Sequence, residues 1–154
     1  MHKRRFRLQP VLKYRERLEQ ASQLEFATAA MEHQQESMEL AQLEQKRLAG
    51  FEELGQQEEQ DTLDIHAIAI TSAYMQTVSS AIDRQAKRVS ASTEKLASKR
   101  GELMERSKDK KSLELLRARQ KAEFEREMEI SETKLLDEMA TNLYIRQSIE
   151  GEKS

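Results

Sequence analysis

Ile68, Met75, Ile82, Val89, Leu96 and Leu103 follow one another at intervals of seven residues. An apolar side chain at every seventh position lies along one line of a slightly underwound α-helix. It is buried only if a second helix lies against that line. A β-strand cannot use such a spacing, because its side chains alternate with a period of two. The repeat therefore predicts a long helix that is one half of a coiled coil. Val78 and Ala86 take companion positions. Gln85, Ser92, Lys99 and Arg106 stand where a tight zipper would carry Leu or Ile, so the seam is thin.

The other half comes from the same chain. Glycine and proline are rare, with four and one in 154 residues. Pro10 suits the first turn of a helix, where its missing N–H is not needed. Gly55 reads as a C-cap, and Asp61 or Thr62 as the next N-cap. The expected fold is all-α: a long antiparallel two-helix coiled-coil hairpin, the second helix longer than the first, in one domain over 1–154. Helix one is expected over about 8–55, the turn over about 56–62, and helix two over about 63–147. At about 1.5 Å per residue the helices would be about 70 Å and about 125 Å long, so helix two should overhang helix one. On helix one, Val11, Tyr14, Leu18 and Ala21 begin a stripe that Leu24, Met31 and Met38 continue one residue out of phase. Beyond Leu103 the spacing is eleven, in Leu113, Phe124 and Leu135 and in Met128 and Met139, which predicts a change of register. On the overhang Phe124, Met128, Leu135, Met139 and Leu143 are exposed apolar residues open to a second copy.

Composition separates this from a disordered chain and from an enzyme. Charged residues are 35% of the chain and aromatic residues 5%, with a net charge of −2. Periodicity, not hydrophobic content, argues for order here. Charge is blocked: Lys3–Arg17 is basic, Glu32–Asp64 acidic, Arg84–Lys121 basic and the last thirty residues acidic, a pattern that suits helices paired in one orientation. Without cysteine there is no disulfide framework and no thiolate metal site. His2, His33 and His66 are far apart, glutamate pairs such as Glu52/Glu53 diverge on a helix, and Gly50–Gly55 lacks the Lys-Ser/Thr of a phosphate loop. No enzyme activity, cofactor or metal is expected. The basic runs Lys3–Arg7 and Lys108–Lys111 could touch phosphate, but no set of aromatic platforms accompanies them, so nucleic acid is not expected as a partner. No secretory signal is visible, and the longest apolar-leaning run, Ile65–Met75, is too short to span a bilayer.

Three segments carry a family likeness. Arg5–Ala27 resembles the opening of the flagellar export proteins called FliJ, which show F-x-L-x-x-V/L-L and then R-x-x-x-E; the matching residues are Phe6, Leu8, Val11, Leu12, Arg15 and Glu19. Lys110–Ala140 resembles the family's closing block through Lys111, Leu113, Glu114, Leu116, Arg119 and Gln120, then Glu132, Lys134, Leu136, Asp137, Glu138 and Ala140. Ser72–Gln85 resembles the segment after the hairpin turn.

The resemblance implies a non-enzymatic stalk of the bacterial flagellar type III export apparatus, similar to the central stalk of rotary ATP synthases. Its partners would be the hexameric export ATPase FliI, which receives the open end of the hairpin, and the export gate protein FlhA, with export chaperones as further candidates. It would lie in the cytoplasm, held at the inner membrane of the flagellar base by proteins. On that basis Arg4, Arg5, Arg7, Arg15, Arg17, Arg117, Arg119 and Arg126 are candidate ATPase contacts, since guanidinium groups suit carboxylates. Tyr74, Val78, Ala81 and Gln85, on one face bordering the Met75/Ile82 seam, are candidate gate contacts, with Arg47 and Phe51 opposite. The alternatives are the equivalent stalk of a virulence injectisome and a generic coiled-coil scaffold.

Overall fold

A computed structural model of the chain describes residues 5–153. They form two helices, α1 (Gln9–Glu58, 50 residues) and the longer α2 (Ile65–Glu152, 88 residues), and no strand occurs among the described residues. Pro10 is the second residue of α1, inside the first turn. Gly55 does not end the helix. No described residue has positive φ, and the Glu59 N–H donates to the Gly55 carbonyl at 3.2 Å, so α1 continues to Glu58. The N-cap of α2 is likewise neither Asp61 nor Thr62. It is Asp64, whose Oδ1 accepts from the Ala67 N–H at 3.2 Å while its carbonyl accepts from the Ile68 N–H at 3.0 Å. A carboxylate three residues before the amide it caps outcompeted the earlier polar residues.

The helices pack in two compact units. In the first, Arg17–Ser107, the pairs run in opposite senses along the two helices. Thr71 meets Gln57 at 3.2 Å, Gln85 meets Glu36, Ser92 meets His33 at 2.9 Å, and Lys99 meets Glu25 at 3.0 Å. The helices are therefore antiparallel. The inward face of α2 steps alternately by four and three residues: Thr71, Met75, Val78, Ile82 and Gln85 are buried, and Val89, Ser92, Leu96, Lys99 and Leu103 half-buried. This is the seven-residue line seen in the sequence, with its polar companions facing inward as expected. Ala86 is exposed and is not a companion.

The inward face of α1 differs from the expected stripe. Glu19, Ser22, Ala29 and Gly50 are buried, with Phe26, His33, Glu36, Leu40, Leu43, Leu54 and Gln57 half-buried. Tyr14, Leu24, Met31 and Met38 are exposed, so the apolar spacing there marks the outward side. The reason is fit. A seam whose α2 side carries Met75 and Ile82 accepts small residues opposite. A Cβ at Gly50 would overlap the Met75 Sδ, so glycine is what lets the helices close at that level.

The second unit comprises the described part of Met1–Glu16 with Lys108–Ser154. Arg15 bonds Asp109 at 3.1 Å and Arg117 donates to Gln9 at 3.4 Å, again in opposite senses along the helices. Leu12 is wholly buried and Val11, its neighbour, is 41% exposed. Lys110 and Leu113 are half-buried at the same four-three spacing, so the expected change of register beyond Leu103 does not occur before Leu113. From Leu115 onward every residue through Lys153 is exposed except Phe124, which is half-buried. That length of helix is sustained by its strong helix formers and by i,i+4 pairs such as Lys121–Glu125 at 3.8 Å.

Leu12→Ala should lower stability by about 2–4 kcal/mol, whereas Val11→Ala should change it by less than about 1 kcal/mol; urea unfolding followed at 222 nm decides. Asp64→Ala should cost about 1 kcal/mol through loss of the cap, and Asp64→Asn should restore most of it in the same assay.

Candidate protein-docking surfaces

The polar seam sets the geometry on which any surface depends. The Gln85 amide donates to both the Glu36 carbonyl, at 2.9 Å, and the Glu36 carboxylate. The Ser92 hydroxyl gives its proton to the Val89 carbonyl at 2.8 Å, so its oxygen accepts from His33 Nδ1. At the rim Lys95 bonds Glu32 at 2.7 Å, and Lys99 bonds Glu25 at 3.0 Å and Glu102 at 3.4 Å. The Arg100 guanidinium sits 5.8 Å from the centre of the Phe26 ring. Of these, Lys95–Glu32 joins the basic block of α2 to the acidic block of α1. The individual partners were not readable from the sequence, because a block fixes sign and not register.

The arginine set divides. Arg4 lies outside the described residues. Arg5, Arg7, Arg117, Arg119 and Arg126 are exposed in the second unit, and Arg15, half-buried there, is occupied by Asp109. Arg17 belongs to the other unit, where it is exposed. The bonds at Arg15 and Arg117 bring the start of α1 beside residues 109–117 of α2, where an open hollow is lined by Arg5, Phe6, Arg7, Gln9, Pro10 and Lys13. Arg119 and Arg126 are seven apart and share one side of α2, whereas Arg117 and Arg119, two apart, point to different sides. The exposed end of α2 also shows Leu135 at 57%, Leu136 at 65% and Leu143 at 58% exposure.

The other candidate face also divides. Val78 and Gln85 are buried against α1 and belong to the seam, not to its border. Tyr74, Phe51 and Arg47 are exposed and Ala81 is half-buried. Gly50 against Met75 puts the adjacent Phe51 and Tyr74 at one level of the hairpin, and these two aromatic rings are what a partner could reach.

Among the described residues no group of three or more His, Cys, Asp or Glu could hold a metal ion, and no helix is long and apolar enough to cross a membrane. The chemistry on offer is exposed guanidinium, carboxylate and apolar side chains on helices, which suits docking to protein.

Comparison with known proteins bears on family and fold. The family described as Flagellar FliJ protein matches residues 3–148. Among solved structures, CT670 from Chlamydia trachomatis, described as a YscO homologue, is similar in fold, with a TM-score of 0.56 and 22% identity over 91% of this chain and 94% of that one. No curated protein matches the sequence.

The Lys99 ammonium is held above its ordinary value of 10.5, chiefly by its bond to Glu25, against partial desolvation, with Glu102 adding to the rise. A raised folded-state value contributes stability below pH 10.5 that is lost as pH climbs through the folded-state value. Lys99→Gln should therefore be less stable than the parent at neutral pH, with the gap shrinking above about pH 10.5. Thermal melts of both chains from pH 7 to about pH 11.5 check this.

Proposed function

The chain belongs to the FliJ family, and from that premise we propose that it is a non-enzymatic stalk of the flagellar type III export apparatus, binding the hexameric ATPase FliI and linking it to the export gate FlhA. The observation that carries the reading is the second unit. There the basic start of α1 lies beside a long stretch of α2 that keeps its charged and apolar side chains exposed. A lone amphipathic helix with Arg119 and Arg126 on one side and Leu135, Leu136 and Leu143 exposed further on is a surface built for another protein to cover. Arg5, Arg7, Arg117, Arg119 and Arg126 form the ATPase contact, facing carboxylates of the ring. Arg15 supports it from behind through Asp109.

The gate contact is formed by the exposed part of the second set: Phe51 and Tyr74, with Ala81 and Arg47 at the edge. Val78 and Gln85 act indirectly, by holding α2 so that Tyr74 projects. Two contacts on separate stretches of one pair of helices let a single small protein bind a soluble ring and a membrane-embedded gate without itself entering the bilayer. The protein lies in the cytoplasm at the flagellar base, and export chaperones are further partners of the same exposed helix.

Purified chain should raise the ATP hydrolysis rate of FliI and favour its hexamer. Arg119→Glu with Arg126→Glu should weaken that response about tenfold or more, the equivalent of about 1.4 kcal/mol of binding, while leaving the helical melt unchanged. Phe51→Ala with Tyr74→Ala should reduce capture of the FlhA cytoplasmic domain and leave the ATPase response intact. An ATPase whose rate and assembly ignore the parent chain rules the reading out.

A further inference from the structure

The fold leaves one long face of α1 without a use. Its inward line passes through Glu19, Phe26, His33 and Leu40, seven apart. The positions one, two and five residues after each of these point away from α2. From Gln20 to Gln45 all twelve such positions are exposed, and none carries a charge. At the 25–35% charge of an ordinary surface about four of them would be charged. The corresponding outward positions of α2 do carry charge, at Asp83, Arg84, Lys87 and Glu94. On the α1 face Leu24 is 70% exposed, Met31 64%, Met38 56% and Leu48 61%. Leu24, Met31 and Met38 are seven apart, so they form a second apolar line of the kind that pairs with a helix.

The order of residues along this face indicates the occupant. About Met31 its outer positions read alike in both directions, while nearer the axis Thr28 would face Gln34 and Ala27 would face Gln35. Leu24 and Met38 flank it at seven residues, Ala21 and Ala41 at ten, Gln20 and Gln42 at eleven. A two-fold contact between antiparallel copies sets each residue against its mirror position. Large apolar then meets large apolar, small meets small, and amide meets amide, which can exchange N–H···O=C bonds. The acidic flank is muted within each chain, since Glu25 and Glu32 are bonded to Lys99 and Lys95.

We propose that the outward face of α1 from Gln20 to Gln42 is a homodimer interface, two copies of this chain joining antiparallel about a two-fold axis at Met31. That stretch of helix, about 35 Å long and about 10 Å wide, buries about 700 Å² in total between two copies. That is below the size of a standard stable interface, so the dimer is weak and reversible. The interface uses neither of the surfaces assigned to FliI and FlhA, and its test needs neither protein.

Sedimentation velocity of the full chain from about 1 µM to about 1 mM should show the mass rising from 17.9 kDa toward twice that value. Met31→Glu should weaken association at least tenfold, with helical content and melting unchanged because the site is exposed in the monomer. Ala91→Glu, on the outward face of α2, should leave association as it is. Since the chain has no cysteine, a short bismaleimide can report orientation. Leu24→Cys chains mixed with Met38→Cys chains should cross-link to each other in preference to themselves. A chain monomeric throughout, a dimer that survives Met31→Glu, or Leu24→Cys chains linking mainly to themselves overturns the proposal. So does association abolished by Leu136→Glu and spared by Met31→Glu, which would move the contact to the exposed end of α2.

Discussion

Polar side chains facing polar side chains across the helix pair govern this structure. Few apolar groups are deeply buried: Leu12, Ala29, Met75, Val78 and Ile82 are the buried hydrophobic residues among those described. Each large one contributes about 1.5–3 kcal/mol, too little to tolerate a mismatch elsewhere along the seam. Sliding one helix by a turn would separate Gln85 from Glu36, His33 from Ser92 and Lys99 from Glu25 together, and would set Met75 against a residue larger than Gly50. Leaving the buried Gln85 amide without a partner would cost about 1–3 kcal/mol, comparable to the hydrophobic gain at one level. The polar levels thus add little net attraction and yet decide register and direction.

This explains what could be read from the sequence. On α2 the inward line holds Ile68, Met75, Ile82, Val89, Leu96 and Leu103, so hydrophobicity and burial coincide and the seam is legible. On α1 they part. Serine, alanine, glycine, glutamate and histidine face α2, while Leu24, Met31 and Met38 face away, so a search for apolar spacing finds the wrong side. Glycine and alanine give no periodic signal, although closeness of approach depends on them. The turn was legible as a region and not in detail, since Asp61, Thr62 and Asp64 are all acceptable caps and only the helix phase selects Asp64. Of the candidate contacts, Val78 and Gln85 sit one step round the helix from Tyr74 and Ala81, and that difference decides between core and surface.

Seen together, the outward faces divide the labour. The end of α2 is charged and apolar in alternation and suits a partner rich in complementary charge. Phe51 and Tyr74 offer a small aromatic patch near the turn. The neutral side of α1 offers long, shallow, weak contact. A chain whose only buried hydrophobic residues among those described are Leu12, Ala29, Met75, Val78 and Ile82 leaves most of its side chains on the outside.

The unaccompanied stretch of α2 has one more implication. Its backbone amides and carbonyls are already satisfied within the helix, and no residue after Pro10 is a proline that would interrupt them. A protein that closes around it need only fix side-chain rotamers, at about 0.5–1.5 kcal/mol each, and does not have to order a main chain. A partner that docked there would meet a main chain already ordered, with only side chains left to fix.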